Sequence, residues 1–177
     1  MSVVPPHTTE TVTLPDGAAV TLRPIRPDDV PRLQAFHARL SPETIYLRFL
    51  GMHLTLSSAE AEKLADVDYQ TRMAFVATRG PKGEEAVIGV ARYTRLGPER
   101  PGEAEAAIVV EDRYQERGLG SILIDRLLAY ARAHGISTFV AEINAENDRM
   151  LRFVRRSGLP AEKRWQDGVC EIHVRIT

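Results

Sequence analysis

The chain has 177 residues, with 23 Lys and Arg against 24 Asp and Glu, for a formal net charge of −1. That length can bury a sizeable core, while near-neutral charge without a long basic run argues against nucleic acid as a partner. One cysteine and five scattered histidines exclude an intrachain disulfide and a multi-cysteine zinc site, and no metal centre is expected.

Residues 1–8, with Pro5-Pro6, read as a loose leader. They lack the basic-then-apolar pattern of a signal peptide, and no later apolar run approaches the ~18 residues of a membrane span. A cytoplasmic protein with no membrane partner is expected, with one domain over residues 9–177. Glu10–Leu14 alternates polar and apolar, and Pro15-Asp16-Gly17 turns it back into Ala19–Pro24 as a hairpin. Pro27 opens a helix whose inward stripe is Val30, Leu33, Phe36 and Leu40. Asp28 and Asp29 suit its first turn as caps rather than as metal ligands. Ser41 caps a second helix with Pro42 at its first position, and Ser57-Ser58-Ala59-Glu60 is a capping box for a third, about residues 58–66. Thr71–Arg79 and Glu85–Leu96 read as paired strands around Gly80-Pro81-Lys82-Gly83.

The stretch Gly102–His134, GEAEAAIVVEDRYQERGLGSILIDRLLAYARAH, organises the chain. Glu103–Val110 is a strand of small and β-branched residues. After it come the loop Gln115-Glu116-Arg117-Gly118-Leu119-Gly120 and a helix with Ile122, Leu123, Leu127, Tyr130 and Ala131 on its apolar stripe. Such a turn aims free N–H groups and the positive end of a helix dipole at an anion, and a pyrophosphate suits it. It is neither GxxxxGK[ST] nor GxGxxG, so the common nucleotide loops are excluded. Past Gly135, Ser137–Asn144 reads as a strand buried on both faces and Glu146–Arg156 as a helix closed by Ser157-Gly158. Ala161–Gln166 and Val169–Ile176 form a final hairpin about Asp167-Gly168. The order ββαααβββαβαββ is that of an α+β, or mixed α/β, sheet with helices packed on it.

The loop fits Q/R-x-x-G-x-G/A, and with its flanking strand and helix it resembles the GNAT superfamily of N-acetyltransferases. A second segment, Asn144-Ala145-Glu146-Asn147-Asp148-Arg149-Met150-Leu151 to Ser157-Gly158-Leu159, is similar to that family's strand-loop-helix. Residues 16–51, and Ser41-Pro42-Glu43-Thr44-Ile45-Tyr46-Leu47-Arg48-Phe49 above all, resemble the acetyltransferase domain of bacterial protein lysine acetyltransferases. The resemblance implies a mostly antiparallel central sheet with splayed strands and flanking helices, and acetyl-CoA as cofactor. It also implies an amine acceptor, with a protein lysine of an acyl-CoA synthetase-like target as the leading choice, and leaves a homodimer open. Relatives of that kind carry a fused regulatory domain, for which this chain is too short, so control by such a domain is not expected.

Residue by residue, the family's base in A-E-x-A falls on Glu105, which is to take a proton from the attacking amine. Glu103, nearer the turn, reads as solvated. The alternative for Glu105 is a solvated carboxylate or an ion pair with Arg92 or Arg95. Ile108, Val109 and Val110 fall at the cofactor arm, with N–H groups around Val109 and Val110 holding the thioester carbonyl. Gln115, Glu116, Arg117, Gly118, Leu119, Gly120 and Ser121 would take the pyrophosphate. Arg152 and Arg155 read as solvated. Asn147 matches the asparagine that reaches the pantetheine or phosphate arm, although Asn is also a preferred helix cap. Many relatives carry a tyrosine acid where this chain has Phe153, so thiolate leaves without it. A thiol pKa of about 8.5 permits that. Cys170 reads as a buried small hydrophobe rather than an acyl carrier. A small-molecule amine as acceptor, or a weak acyl-CoA-sensing module, are the alternatives.

Overall fold

The computed structural model describes residues 9–177, and the expected leader lies outside them. In chain order the elements are β1 (Glu10–Thr13), β2 (Ala19–Pro24), α1 (Val30–Ala38), α2 (Pro42–Phe49), α3 (Ser58–Ala65), β3 (Arg72–Arg79), β4 (Ala86–Arg95) and β5 (Glu103–Val110). They continue with α4 (Leu119–Ala133), β6 (Thr138–Asn144), α5 (Asp148–Arg156), β7 (Ala161–Gln166) and β8 (Val169–Arg175). This is the expected order. Local chemistry sets the ends. Ser41 Oγ accepts from Thr44 N at 3.1 Å, Ser57 and Glu60 exchange the two bonds of a capping box, and Asp167 and Gly168 both take positive φ in the last hairpin.

The eight strands form one sheet in the order β1-β2-β3-β4-β5-β6-β8-β7, antiparallel throughout except for β5 and β6. The parallel pair follows from the β5-α4-β6 crossover. Gly102 sits at its base with φ +77°, and its carbonyl accepts from both Ser137 N and Thr138 N. That positive φ favours glycine, and a Cβ there would also stand 2.8 Å from Ser137 Oγ, which would have to rotate away.

Helix α4 buries Leu119, Leu123, Leu127 and Ala131 completely against one face of the sheet. Ile122 and Tyr130, expected on the same stripe, are only partly buried. On the opposite face α1 brings Leu33 and Phe36 over Val90 and Arg92 of β4. Two expectations need correction. β6 is buried on both faces only in its first half, because Glu142 is exposed. Helix α1 is preceded by a 3-10 turn, Pro27–Asp29, rather than starting at Pro27.

Asp29 does more than cap. It is fully buried, accepts from Arg26 N at 2.9 Å, and takes both terminal nitrogens of Arg23 at 2.7 Å each. The fork clamps β2 to α1. Asp29→Ala is expected to cost roughly 3–5 kcal/mol, because it strands a buried guanidinium. Chemical denaturation would read this, and a loss below about 1 kcal/mol would mean that water solvates Arg23.

Candidate active site

Strands β5 and β6 pair only over Glu103–Glu105 with Thr138–Val140. Beyond Glu105 they part, while β6 keeps its full pairing with β8. Glu111 N donates to Ile88 O at 2.9 Å and Leu96 N to Glu103 O at 3.1 Å. These bonds set the phase of β5. Odd-numbered residues turn N–H and C=O toward β4, and even-numbered ones turn theirs the other way. Past Glu105 the N–H of Ala106 makes the last rung of the β5–β6 ladder, and those of Ile108 and Val110 face the gap. Val109 turns its N–H into the sheet toward Val90, which corrects the expectation that it shares in holding a carbonyl. Its side chain lines the cleft on the α1 face instead.

The loop ends this gap. Gly118 takes φ +85° as the N-cap of α4, and Ile122 N donates to its carbonyl at 3.2 Å. Among the described residues, no bond is made by the N–H groups of Glu116, Arg117, Gly118, Leu119, Gly120 or Ser121. Six consecutive free amides at a helix N-terminus suit a pyrophosphate. A Cβ at Gly120 would lie 3.7 Å from Ile108 and 3.8 Å from Phe153. Phe153 thus stands beside the gap and brings no hydroxyl to it.

Two expected anion ligands are occupied otherwise. Gln115 gives its side-chain N–H to Val110 O at 2.8 Å and to Thr44 Oγ1 at 3.2 Å, so it props the loop mouth open against α2. Arg117 pairs with Asp16 in the β1–β2 turn and stacks over Tyr114. Asp112, which the sequence did not single out, ties α2 to this loop. It accepts from Ser41 N at 2.9 Å, Ser41 Oγ at 2.6 Å and Thr44 Oγ1 at 2.7 Å. Asn147 Oδ1 caps α5 by accepting from Met150 N at 3.0 Å, which leaves its NH₂ for another acceptor. Arg152 and Arg155 are exposed, as expected.

Glu105 is the last residue of β5 paired on both sides, and it is exposed. It shares its face with Ala107 and Val109. It makes no ion pair among the described residues, so neither Arg92 nor Arg95 holds it. Arg92 instead donates to Leu64 O at 2.6 Å, and Arg95 to Gln70 O at 3.4 Å. Glu103, expected to be solvated, is half-buried and paired with Arg100 at 2.5 Å. The cleft over this face is also lined by His37, Arg48 and Phe49 from α1 and α2. Burial, then the neighbouring His53, lowers the pKa of His37. Cys170 is fully buried with Ile143 and Ile172, and burial pushes its thiol up, which suits a structural role.

The acetyltransferase (GNAT) domain profile matches residues 19–160. An acetyltransferase of Pseudomonas aeruginosa is 36% identical over 160 residues, 90% of this chain and 85% of that protein. The acetyltransferase Pat of Mycolicibacterium smegmatis is 36% identical over 137 residues, 77% of this chain but 40% of the longer relative. The solved GNAT domain of S. lividans PAT is 32% identical and superposes with a TM-score of 0.86 over 96% of this chain and 98% of its own. Fold, splayed strands and sequence thus agree, and the chain belongs to the GNAT family as an acetyl-CoA-dependent N-acetyltransferase.

Proposed function

We propose that the chain acetylates a lysine of a partner protein, with Glu105 as the base that takes the proton from the attacking amine. One observation carries this reading. The sheet opens immediately after Glu105, with free N–H groups from Ile108 and Val110 in the gap and an unpaired carboxylate on the adjoining face. Acetyl-CoA supplies the thioester. Its pyrophosphate would sit on the amides of residues 116–121, and the Asn147 NH₂, not used by the cap, would donate toward the same arm. Val110 N–H, rather than that of Val109, then faces the carbonyl oxygen, where a preformed donor stabilises the developing oxyanion. A lysine ammonium has a pKa of about 10.4, so it must lose a proton before attack, and Glu105 accepts it directly or through water. With Phe153 in place of a tyrosine, the thiol takes its proton from solvent.

The lysine acceptor rests on the likeness of Ser41–Phe49 to protein lysine acetyltransferases. These residues cap and form α2, whose Arg48 and Phe49 line the cleft on the face of β5 that carries Glu105. The test combines the protein, acetyl-CoA and an acyl-CoA synthetase, read by intact and peptide mass spectrometry. A one-acetyl increment on a synthetase lysine is expected with wild type and not with Glu105→Gln. Acetylation of small amines with none on protein would replace lysine by a small-molecule acceptor.

A further inference from the structure

The cleft over Ala107 and Val109, on the face of β5 that also carries Glu105, is mostly apolar, with Leu33, Phe36, Leu64 and Val90 among its walls, yet it holds two guanidiniums, Arg48 from α2 and Arg92 from β4. Both are half-buried, and neither belongs to an ion pair among the described residues. Arg92 spends one N–H on Leu64 O at 2.6 Å. Arg48 has no hydrogen-bond partner among the described residues and lies 5.0 Å over the Phe49 ring. No carboxylate acts on Arg92, and only Glu105 acts on Arg48. The charges acting on Arg92 are the guanidiniums of Arg48 and Arg72, which with burial bring its pKa down to about 10. Burial lowers that of Arg48 too, and Glu105 alone pulls the other way.

Two cations held together in an apolar cleft with no carboxylate in direct contact, Glu105 acting on Arg48 only from beyond ion-pair distance, are unfavourable unless something arrives to pair with them. A guanidinium fork matches a carboxylate with two parallel N–H bonds, and a water-poor wall strengthens that contact. The amine must meanwhile reach Glu105, on the same face of β5 as the Ala107 and Val109 side chains that line this cleft. We infer that Arg48 and Arg92 form a carboxylate subsite within the acceptor cleft, so that the acceptor is an amine with an acidic group beside it. Two sources carry that chemistry: the α-carboxylate of a free amino acid, or an acidic side chain next to a lysine. The inference rests on the proposed reading of the Glu105 face as the acceptor side.

The experiment measures kcat/KM with acetyl-CoA for matched acceptor pairs. One arm compares free L-amino acids with their carboxamides, at equal concentrations of neutral amine because the amide lowers the amine pKa. The other compares lysine peptides carrying Asp or Asn beside the lysine. Wild type is expected to favour the acidic member of one pair by at least tenfold, and the arm that responds identifies the source. Arg48→Met should erase the preference and Arg48→Lys should keep part of it, with acetyl-CoA affinity by calorimetry unchanged in both. Arg48 is chosen because Arg92 also holds the end of α3. Equal use of acid and amide by wild type, or a preference that survives Arg48→Met, overturns the subsite while leaving the Glu105 reading intact. Acetyl-CoA binding without transfer to any amine or peptide overturns both.

Discussion

Glu105→Gln is expected to lower kcat by roughly 10²–10⁴-fold, about 3–5 kcal/mol of barrier, while the affinity for acetyl-CoA stays within about twofold. Glutamine keeps the size and polarity of the side chain but cannot hold the amine's proton. The fold has little to lose. Glu105 is exposed, pairs in register with Thr94 and Val140 through backbone alone, and has no side-chain ion pair to break. The loss should therefore appear in the thiol-release rate and not in the denaturation midpoint. The wild-type rate should climb with pH as more amine is neutral, and the variant should stay below it throughout. Turnover at the wild-type rate would move the base elsewhere. His37 is then the next group to test, since it lines the same cleft and burial favours its neutral form.

Gly120→Asp is expected to weaken acetyl-CoA binding more than 100-fold by calorimetry with the melting temperature nearly unchanged. The position takes an ordinary helical φ, and a new Cβ would make only van der Waals contacts with Ile108 and Phe153 at 3.7 and 3.8 Å. A side chain therefore fits the fold. What it adds is a carboxylate within the first turn of α4, where free amides and the helix dipole favour an incoming anion. Gly120→Ala separates the two effects, since it adds bulk without charge and should lose far less. Unchanged affinity in Gly120→Asp would remove residues 116–121 from the pyrophosphate site.

The architecture was legible because its signals are short-range. Pro42 behind Ser41, Glu60 three residues after Ser57, and Asp167-Gly168 between alternating runs each state a cap or a turn within four residues. The 3.6-residue stripe of α4 then points its leucines inward. The turn proposed to hold the pyrophosphate was legible for the same reason, since Gly118 and Gly120 lie in one short stretch at the start of a helix. Errors arose where a residue's fate hangs on how the backbone is folded around it. Glu103 looked solvated until Arg100 folded over it. Val109 and Val110 cannot be told apart before the pairing phase of β5 against β4 is known, because every second N–H turns the same way.

From the sequence alone followed the succession of elements, the family and the residues at the splayed strand and loop. The tertiary structure decided which partners those residues meet. It ended the β5–β6 pairing at Glu105 and turned the N–H of Val110, not Val109, into the gap. It gave Gln115 to Thr44, 71 residues away. It also brought Arg48 and Arg92 from α2 and β4 into one cleft. Caps, turns and periodicity act between near neighbours and are written in the chain. Partners dozens of residues apart meet only when the sheet and helices close on one another, and the chemistry of the site is made by those meetings.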